Sequence, residues 1–332
     1  MIQVIRTVDT HTMGEPTRVV IGGIDEIPGK SMPDKKEFVS EKLDHIRTAL
    51  MHEPRGHQDM FGAIILKPTH PDAVLGVVFM DTFGYLDMCG HGLIGVVTVA
   101  AETGLVSLKT GNNSFLVETP AGLLQVTVNM EGQKATSVSF QNVPSFLYQT
   151  GIPVRLDGRA LISVDISYGG NYFAMVEADH IGLEIESSNS NEIVTVGMAI
   201  LHELNKSVTI EHPQTGEANR VKLVEFSTTP RAPEAHARNT VVFGNGQIDR
   251  SPCGTGTCAK MASLFAQGQL NLNETFTHES IIGTCFNGKL LEAIDLGKVQ
   301  AVIPEITACA YITGVHEFYI HPEDPLKDGF KI

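Results

Sequence analysis

Asp249-Arg250-Ser251-Pro252-Cys253-Gly254-Thr255-Gly256-Thr257 and Asp87-Met88-Cys89-Gly90-His91-Gly92 decide how this chain reads. In each, a polar turn ends in Cys-Gly and opens into an apolar run. Leu93, Ile94, Val96, Val97, Val99 and Ala100 follow the first; Ala259, Met261, Ala262, Leu264 and Phe265 follow the second. A helix that is apolar on all sides is a buried one. Each cysteine is therefore expected to open the central helix of its own sheet. The first helix runs from Cys89 to about Glu102 and stops at Gly104; the second runs from Cys253 to about Gln267 and stops at Gly268. A thiol at a helix start meets unpaired amides and the positive end of the dipole, which lowers its pKa.

Around these helices the chain is rich in short strand-like runs, such as Ala63-Ile64-Ile65-Leu66, Ala73 to Phe79, Leu123 to Val128 and Asn239 to Phe243. Their close, turn-rich spacing points to largely antiparallel or mixed sheets. Two further helices are expected. One spans Lys35 to His52, with Val39, Leu43, Ile46 and Leu50 on one face and Pro54 beyond it. The other spans Ser190 to Lys206, with Ile193, Val196, Ile200 and Leu204 on one face and Asn189 and Glu192 as a capping pair. The order is helix, strands, Cys-Gly helix, strands, and then the same again. The cysteines lie 164 residues apart and the two amphipathic helices about 155 apart, as a duplicated domain with small insertions would give.

A chain of 332 residues is expected to form about two domains. Its net charge of −14 argues against nucleic acid and anionic membranes as partners. The N-terminal residues do not read as a secretory signal. The longest apolar stretch, Gly92 to Ala101, is too short to span a bilayer. Five thinly spread cysteines suit a reducing cytoplasm better than a disulfide scaffold. Cys258, Cys285 and Cys309 stand in apolar surroundings and read as core residues.

The Gly after each Cys lets a ligand reach the backbone, and the first helical amides then point at it, a ready site for a carboxylate. Two such helix starts facing one small amino acid would put a sulfur on each side of its α-carbon. One thiolate would remove the α-proton and the opposite thiol would return one, inverting the centre. The developing charge needs preorganised donors in a dry site. Metal ligation by Cys89 and His91, or by Cys253 and Cys258, remains the alternative, although neither spacing is C-x-x-C. Cys-Gly-Thr-Gly-Thr lacks the Lys-Ser/Thr ending of a phosphate-binding loop. A non-catalytic sensor of a small ligand is the reading from another class.

Both motifs resemble those of the proline racemase family, which includes hydroxyproline epimerases. Asp9-Thr10-His11-Thr12-Met13-Gly14-Glu15-Pro16-Thr17-Arg18, Arg55-Gly56-His57-Gln58-Asp59-Met60 and the run from Gly314 to Pro325 are similar to that family as well. The resemblance implies a diaminopimelate-epimerase-like α/β (α+β) fold. It has two pseudo-symmetric domains, each a mixed sheet around a central helix. On this chain they would be residues 1–121 with about 314–332, carrying Cys89, and residues 122–313, carrying Cys253, with the active site in the cleft between them. It implies Cys89 and Cys253 as the acid/base pair. Gly90, His91, Gly254 and Thr255 would supply amides to the substrate carboxylate, and His91 and Asp249 would hold the amino group. It implies a homodimer that uses no pyridoxal phosphate, metal or nucleotide.

Family members that dehydrate trans-3-hydroxyproline carry Thr at the position of Cys253, so dehydration is not expected. Met80-Asp81-Thr82, with Phe61 and Phe243 as an apolar wall, is similar to the proline racemases. Gly92-Leu93-Ile94-Gly95 is more like the epimerases. The reading taken forward is a racemase interconverting L- and D-proline. The alternative is a 4-hydroxyproline 2-epimerase converting trans-4-hydroxy-L-proline into cis-4-hydroxy-D-proline.

Overall fold

The computed structural model describes residues 2–156, 158, 161–216, 218–297 and 299–331. The chain forms two compact units. One comprises Met1–Phe140 with Ala308–Ile332, the other Gln141–Thr307. Each is described by itself.

In the first unit the elements are β1 (Gln3–Thr12), β2 (Glu15–Gly22), α1 (Met32–Lys42), α2 (Asp44–Met51), β3 (Phe61–Leu66), β4 (Ala73–Asp81), β5 (Tyr85–Leu86), α3 (Gly90–Glu102), β6 (Gly111–Thr119), β7 (Gly122–Glu131) and β8 (Lys134–Gln141). The second unit holds β9 (Phe146–Val154), β10 (Ile162–Tyr168), β11 (Tyr172–Glu177), α4 (Ser190–Ser207), a small hairpin of β12 (Ile210–Glu211) and β13 (Ala218–Asn219), β14 (Leu223–Thr228), β15 (Ala237–Phe243), β16 (Gln247–Asp249), α5 (Gly254–Ala266), β17 (Thr275–Glu279), β18 (Cys285–Asp295) and β19 (Gln300–Ala308). The last strand, β20 (Ala310–Ile320), belongs to the first unit, where it pairs antiparallel with β1.

The two sheets repeat one pattern. In the first unit the order is β20-β1-β2-β3-β4-β6-β7-β8, antiparallel throughout except for the parallel pairs β2/β3 and β4/β6, with β5 also antiparallel to β4. In the second it is β9-β10-β11-β14-β15-β17-β18-β19, with β11/β14 and β15/β17 parallel and β16 antiparallel to β15. Strand replaces strand: β20 by β9, β1 by β10, and so on to β8 by β19. From Ala73, Gly90 and Gly111 to Ala237, Gly254 and Thr275, the starts of β4, α3 and β6 recur 164 residues later in β15, α5 and β17. The duplication expected from the cysteine spacing is thus present, and the fold is the mixed α/β class. The units divide after Phe140 rather than at residues 121/122. The reason is that β7 and β8 continue the ladder begun by β6.

Both Cys-Gly helices form where expected, and both are almost wholly buried. In α3 every residue from Gly90 to Ala101 is buried, and the helix packs on β1, β2, β3 and β20; α5 packs on the corresponding β10, β11 and β9, and on β18. Each is followed by a glycine with positive φ, Gly104 at 75° and Gly268 at 71°.

The amphipathic helices differ from expectation in detail. The segment Lys35 to His52 breaks at Leu43 into α1 and α2. A capping box of Ser31 and Asp34 starts the first piece, and Asp44 starts the second, its carboxylate paired with buried Arg47, which also bonds the Asp81 carbonyl. In α4, Asn189 does precede the helix, but its side chain makes no cap bond and donates to the Glu184 carbonyl instead.

The motif from Asp9 to Arg18 is structural at both ends. Arg18 is buried, with Nε and one terminal nitrogen on the Asp9 carboxylate at 2.9–3.1 Å and the other nitrogen on the carbonyls of Leu50 and Arg55 at 2.7 and 2.6 Å. It ties the β1/β2 hairpin to the end of α2. Removing one member of a buried ion pair leaves the other uncompensated, at about 3–5 kcal/mol. Arg18→Ala is expected to lose stability on that scale in a denaturant titration; a loss near zero would show that Asp9 is satisfied without it.

Candidate active site

The first Cys-Gly corner lies at the start of α3. Cys89 immediately precedes the helix in extended conformation and is half-buried. Its Sγ is 3.2 Å from Nδ1 of His91, and the His91 ring meets Phe61 edge-on with centroids 4.4 Å apart. Thr12 Oγ1 donates to the His91 carbonyl at 2.8 Å, so the first motif also braces this turn. Burial holds His91 neutral, its pKa depressed to about 3 against an opposing hydrogen bond to the Pro16 backbone. Phe61, at the head of β3, is buried and tilted against Phe79. Gly92 is required here: a Cβ on it would lie 2.7 Å from Phe61 Cε1 and 3.0 Å from the Phe79 ring.

The second corner lies at the start of α5 and is more deeply buried. Cys253 is 7% exposed and has φ 61°, ψ 111°, a conformation that costs a non-glycine residue about 1–3 kcal/mol. Its amide donates to Ser251 Oγ at 3.1 Å; Ser251 Oγ in turn donates to Asp249 Oδ1 at 2.7 Å, and the Ser251 amide bonds the same oxygen at 2.8 Å. The Pro252 carbonyl accepts from Asn239 Nδ2 at 2.8 Å and Thr257 Oγ1 at 3.2 Å. The strained turn is thus fixed from both sides. Thr255 Oγ1 lies 3.7 Å from Cys253 Sγ.

The electrostatics of this corner depart from the sequence expectation. Burial pushes the Cys253 thiol well above its ordinary pKa, and the neighbouring Asp249 carboxylate pushes it further; a bond from the Gly256 amide offsets this only in part. The amides at the helix start do favour thiolate, but desolvation and nearby acids outweigh them. Burial also raises Asp249, to about 6, against the bonds from Ser251.

The structure brings Cys89, Gly90, His91 and Phe61 together in the first unit, and Asp249, Cys253, Gly254 and Thr255 together in the second. Phe243 ends β15, half-buried, opposite Gln247 in the β15/β16 hairpin. The 164-residue repeat matches it to Phe79, not to Phe61. Cys258 is fully buried, as expected of a core residue; Cys285 and Cys309 are only half-buried, the latter donating to the Thr136 carbonyl. Among the described residues no group of three or more His, Cys, Asp or Glu could hold a metal ion.

Sequence reasoning missed two residues beneath the second corner, Glu225 on β14 and His278 on β17, both 0% exposed. The signal was present: a charged residue inside the apolar strand Leu223-Val224-Glu225-Phe226 has no reason to be there unless it faces something polar.

The proline racemase family model matches residues 7–331. A proline racemase of Clostridioides difficile is 48% identical over 98% of this chain and 97% of its own. A 4-hydroxyproline 2-epimerase of Streptosporangium roseum is 41% identical over 99% and 98%. The crystal structure of a hydroxyproline epimerase from Agrobacterium vitis with bound trans-4-hydroxy-L-proline superposes with a TM-score of 0.89 at 29% identity, covering 99% of this chain and 95% of that one. With the family model matched along nearly the whole chain, and with relatives of this identity and coverage, the chain belongs to the proline racemase family.

Proposed function

We propose that the protein is a cofactor-independent isomerase that interconverts L- and D-proline, with Cys89 and Cys253 as the acid/base pair. The observation that carries this reading is the placement of both cysteines at the same point of the same repeated element, each immediately before the first residue of a buried helix. Packing alone would not require a thiol twice at that point. In this reading the two helix starts meet one substrate, their first amides holding its carboxylate and Asp249 its ammonium. The surroundings of the thiols divide their roles. Cys253, held protonated, is the resting acid. Cys89, half-buried at the head of α3, is then the resting base. The roles exchange on the return reaction, so the titrations belong to the pair.

Phe61 supports proline over 4-hydroxyproline. An apolar ring beside His91 suits an unsubstituted pyrrolidine, whereas an unpartnered buried hydroxyl costs about 1–3 kcal/mol. The epimerase-like residues Leu93 and Ile94 are both 0% exposed and face the interior of the unit, so they make poor determinants of ring substituents. The alternative, 4-hydroxyproline 2-epimerase, draws support from the hydroxyproline-bound structural relative. We also propose a homodimer, and a reducing cytoplasm in keeping with five cysteines outside any disulfide; among the described residues no helix is long and apolar enough to cross a membrane.

The test is proton NMR of L-proline and trans-4-hydroxy-L-proline with the enzyme in D2O. Loss of the proline α-proton with falling optical rotation is expected. Exchange with hydroxyproline alone, with the cis-D epimer accumulating, would replace the racemase reading with the epimerase one.

A further inference from the structure

Equivalent glycines in the two repeats face equivalent strands but different side chains. Gly92 of α3 faces Phe61 on β3, and Gly256 of α5 faces Glu225 on β14. A Cβ on Gly256 would collide with Glu225 Oε2 and would lie 3.3 Å from Cys253 Sγ, so the bare glycine is what separates that carboxyl from the thiol. Neither carboxyl oxygen of Glu225 makes a well-aligned hydrogen bond among the described residues; the Asn239 amide lies near enough to favour the carboxylate, but its own bond goes to the Pro252 carbonyl. His278 Nε2 is 3.8 Å from Oε1, too far for a hydrogen bond. Thr257 Oγ1 lies 3.2 Å from the Pro252 carbonyl and 3.0 Å from His278 Nδ1; with either tautomer the buried imidazole carries no charge. Among the described residues no charged partner in contact balances a negative charge on Glu225.

We propose that Glu225 is a positioning residue for Cys253 that works as an uncharged carboxylic acid, filling the space under Gly256 while keeping a second negative charge away from the sulfur. The inference rests on the two-thiol reading. A packing residue at this place would be apolar, as Phe61 is in the other repeat. An anion would oppose the thiolate that forms each time Cys253 gives up its proton. The surrounding charges agree. Burial raises the Glu225 pKa to about 8, opposed by Lys260 on α5, which is itself paired with Glu177 at 2.7 Å, and by the Asn239 amide on β15, and reinforced by Glu177 on β11 and Asp249 on β16. His278 on β17 is held neutral by its burial, with a pKa near 3, and contributes no charge. Glu225 is thus neutral below about pH 8 and charged above it, and Cys253 loses access to thiolate as pH rises through that point.

Glu225→Gln keeps the shape and removes the titration. The ratio of racemisation rate at pH 9.5 to that at pH 7 is expected to be at least about threefold higher in this variant than in the wild type. An unchanged ratio would overturn the proposal. A second readout needs no variant. In the wild-type protein labelled with 13C at glutamate side-chain carboxyls, one resonance is expected to titrate near pH 8; if every glutamate has finished titrating by about pH 6, Glu225 is an anion and the proposal falls. Cys253→Ala separates the two readings. Racemisation that survives in Cys253→Ala sinks the two-thiol reading whatever Glu225 does. Loss in Cys253→Ala with a wild-type pH ratio in Glu225→Gln sinks only the role of Glu225.

Discussion

Cys89→Ala and Cys253→Ala are each expected to lower the inversion of L-proline by about 10³-fold or more, within the range of a positioned acid or base. The α-proton of an amino acid is too weakly acidic for water to replace a thiolate, and an inverted centre needs a second donor on the opposite face. Neither variant should unfold. Cys89 is half-buried, and Cys253→Ala removes only a sulfur from a turn that Ser251, Asn239 and Thr257 hold by other atoms. Polarimetry measures the inversion and a circular dichroism melt checks the fold. Full activity in either folded single variant would sink the acid/base pair. The residual rates should also differ, because Cys89→Ala leaves a neutral His91 beside the site and Cys253→Ala leaves the acidic Asp249.

Gly256→Ala is the next largest expected effect, a loss of about 10²-fold in kcat/KM, the order produced when a catalytic group shifts by about 1 Å. The added methyl has nowhere to go. It meets Glu225 Oε2 on one side and Cys253 Cβ at 3.2 Å on the other. The overpacking should also lower stability by about 1–3 kcal/mol. Gly92→Ala offers the comparison, since there the obstruction is two buried aromatic rings and no carboxyl or sulfur. In a double-mutant cycle, shortening Glu225 to Ala should recover part of the Gly256→Ala stability loss. Strict additivity would mean that the clash lies elsewhere.

Much of the fold could be read in the sequence because the deciding signals were local. Two apolar runs, each opened by Cys-Gly and closed by Gly, specify two buried helices without reference to anything distant. Their 164-residue spacing recurs in the starts of β4 and β15 and of β6 and β17. What was misread involved partners far away in sequence. Arg47, just past the break at Leu43, is buried on partners that include the carbonyl of Asp81 on β4, far away in sequence. The boundary at residues 121/122 failed because a hairpin turn at Gly122 looks like an end unless β7 is known to return along β6.

The sequence by itself determined that a thiol precedes a glycine at the head of each of two apolar helices, since that is a property of consecutive residues. Only the tertiary structure decided the surroundings of each thiol. Helix-start amides are local and favour thiolate, but desolvation and the approach of Asp249 and Glu225 depend on β14, β16 and β17 closing over α5. Burial removes the water that would have stabilised charge, and no run of neighbouring residues reveals how much water a site keeps. The same letters, Cys-Gly, therefore become a half-buried thiol beside a neutral imidazole in one repeat and a buried, protonated thiol among carboxyls in the other.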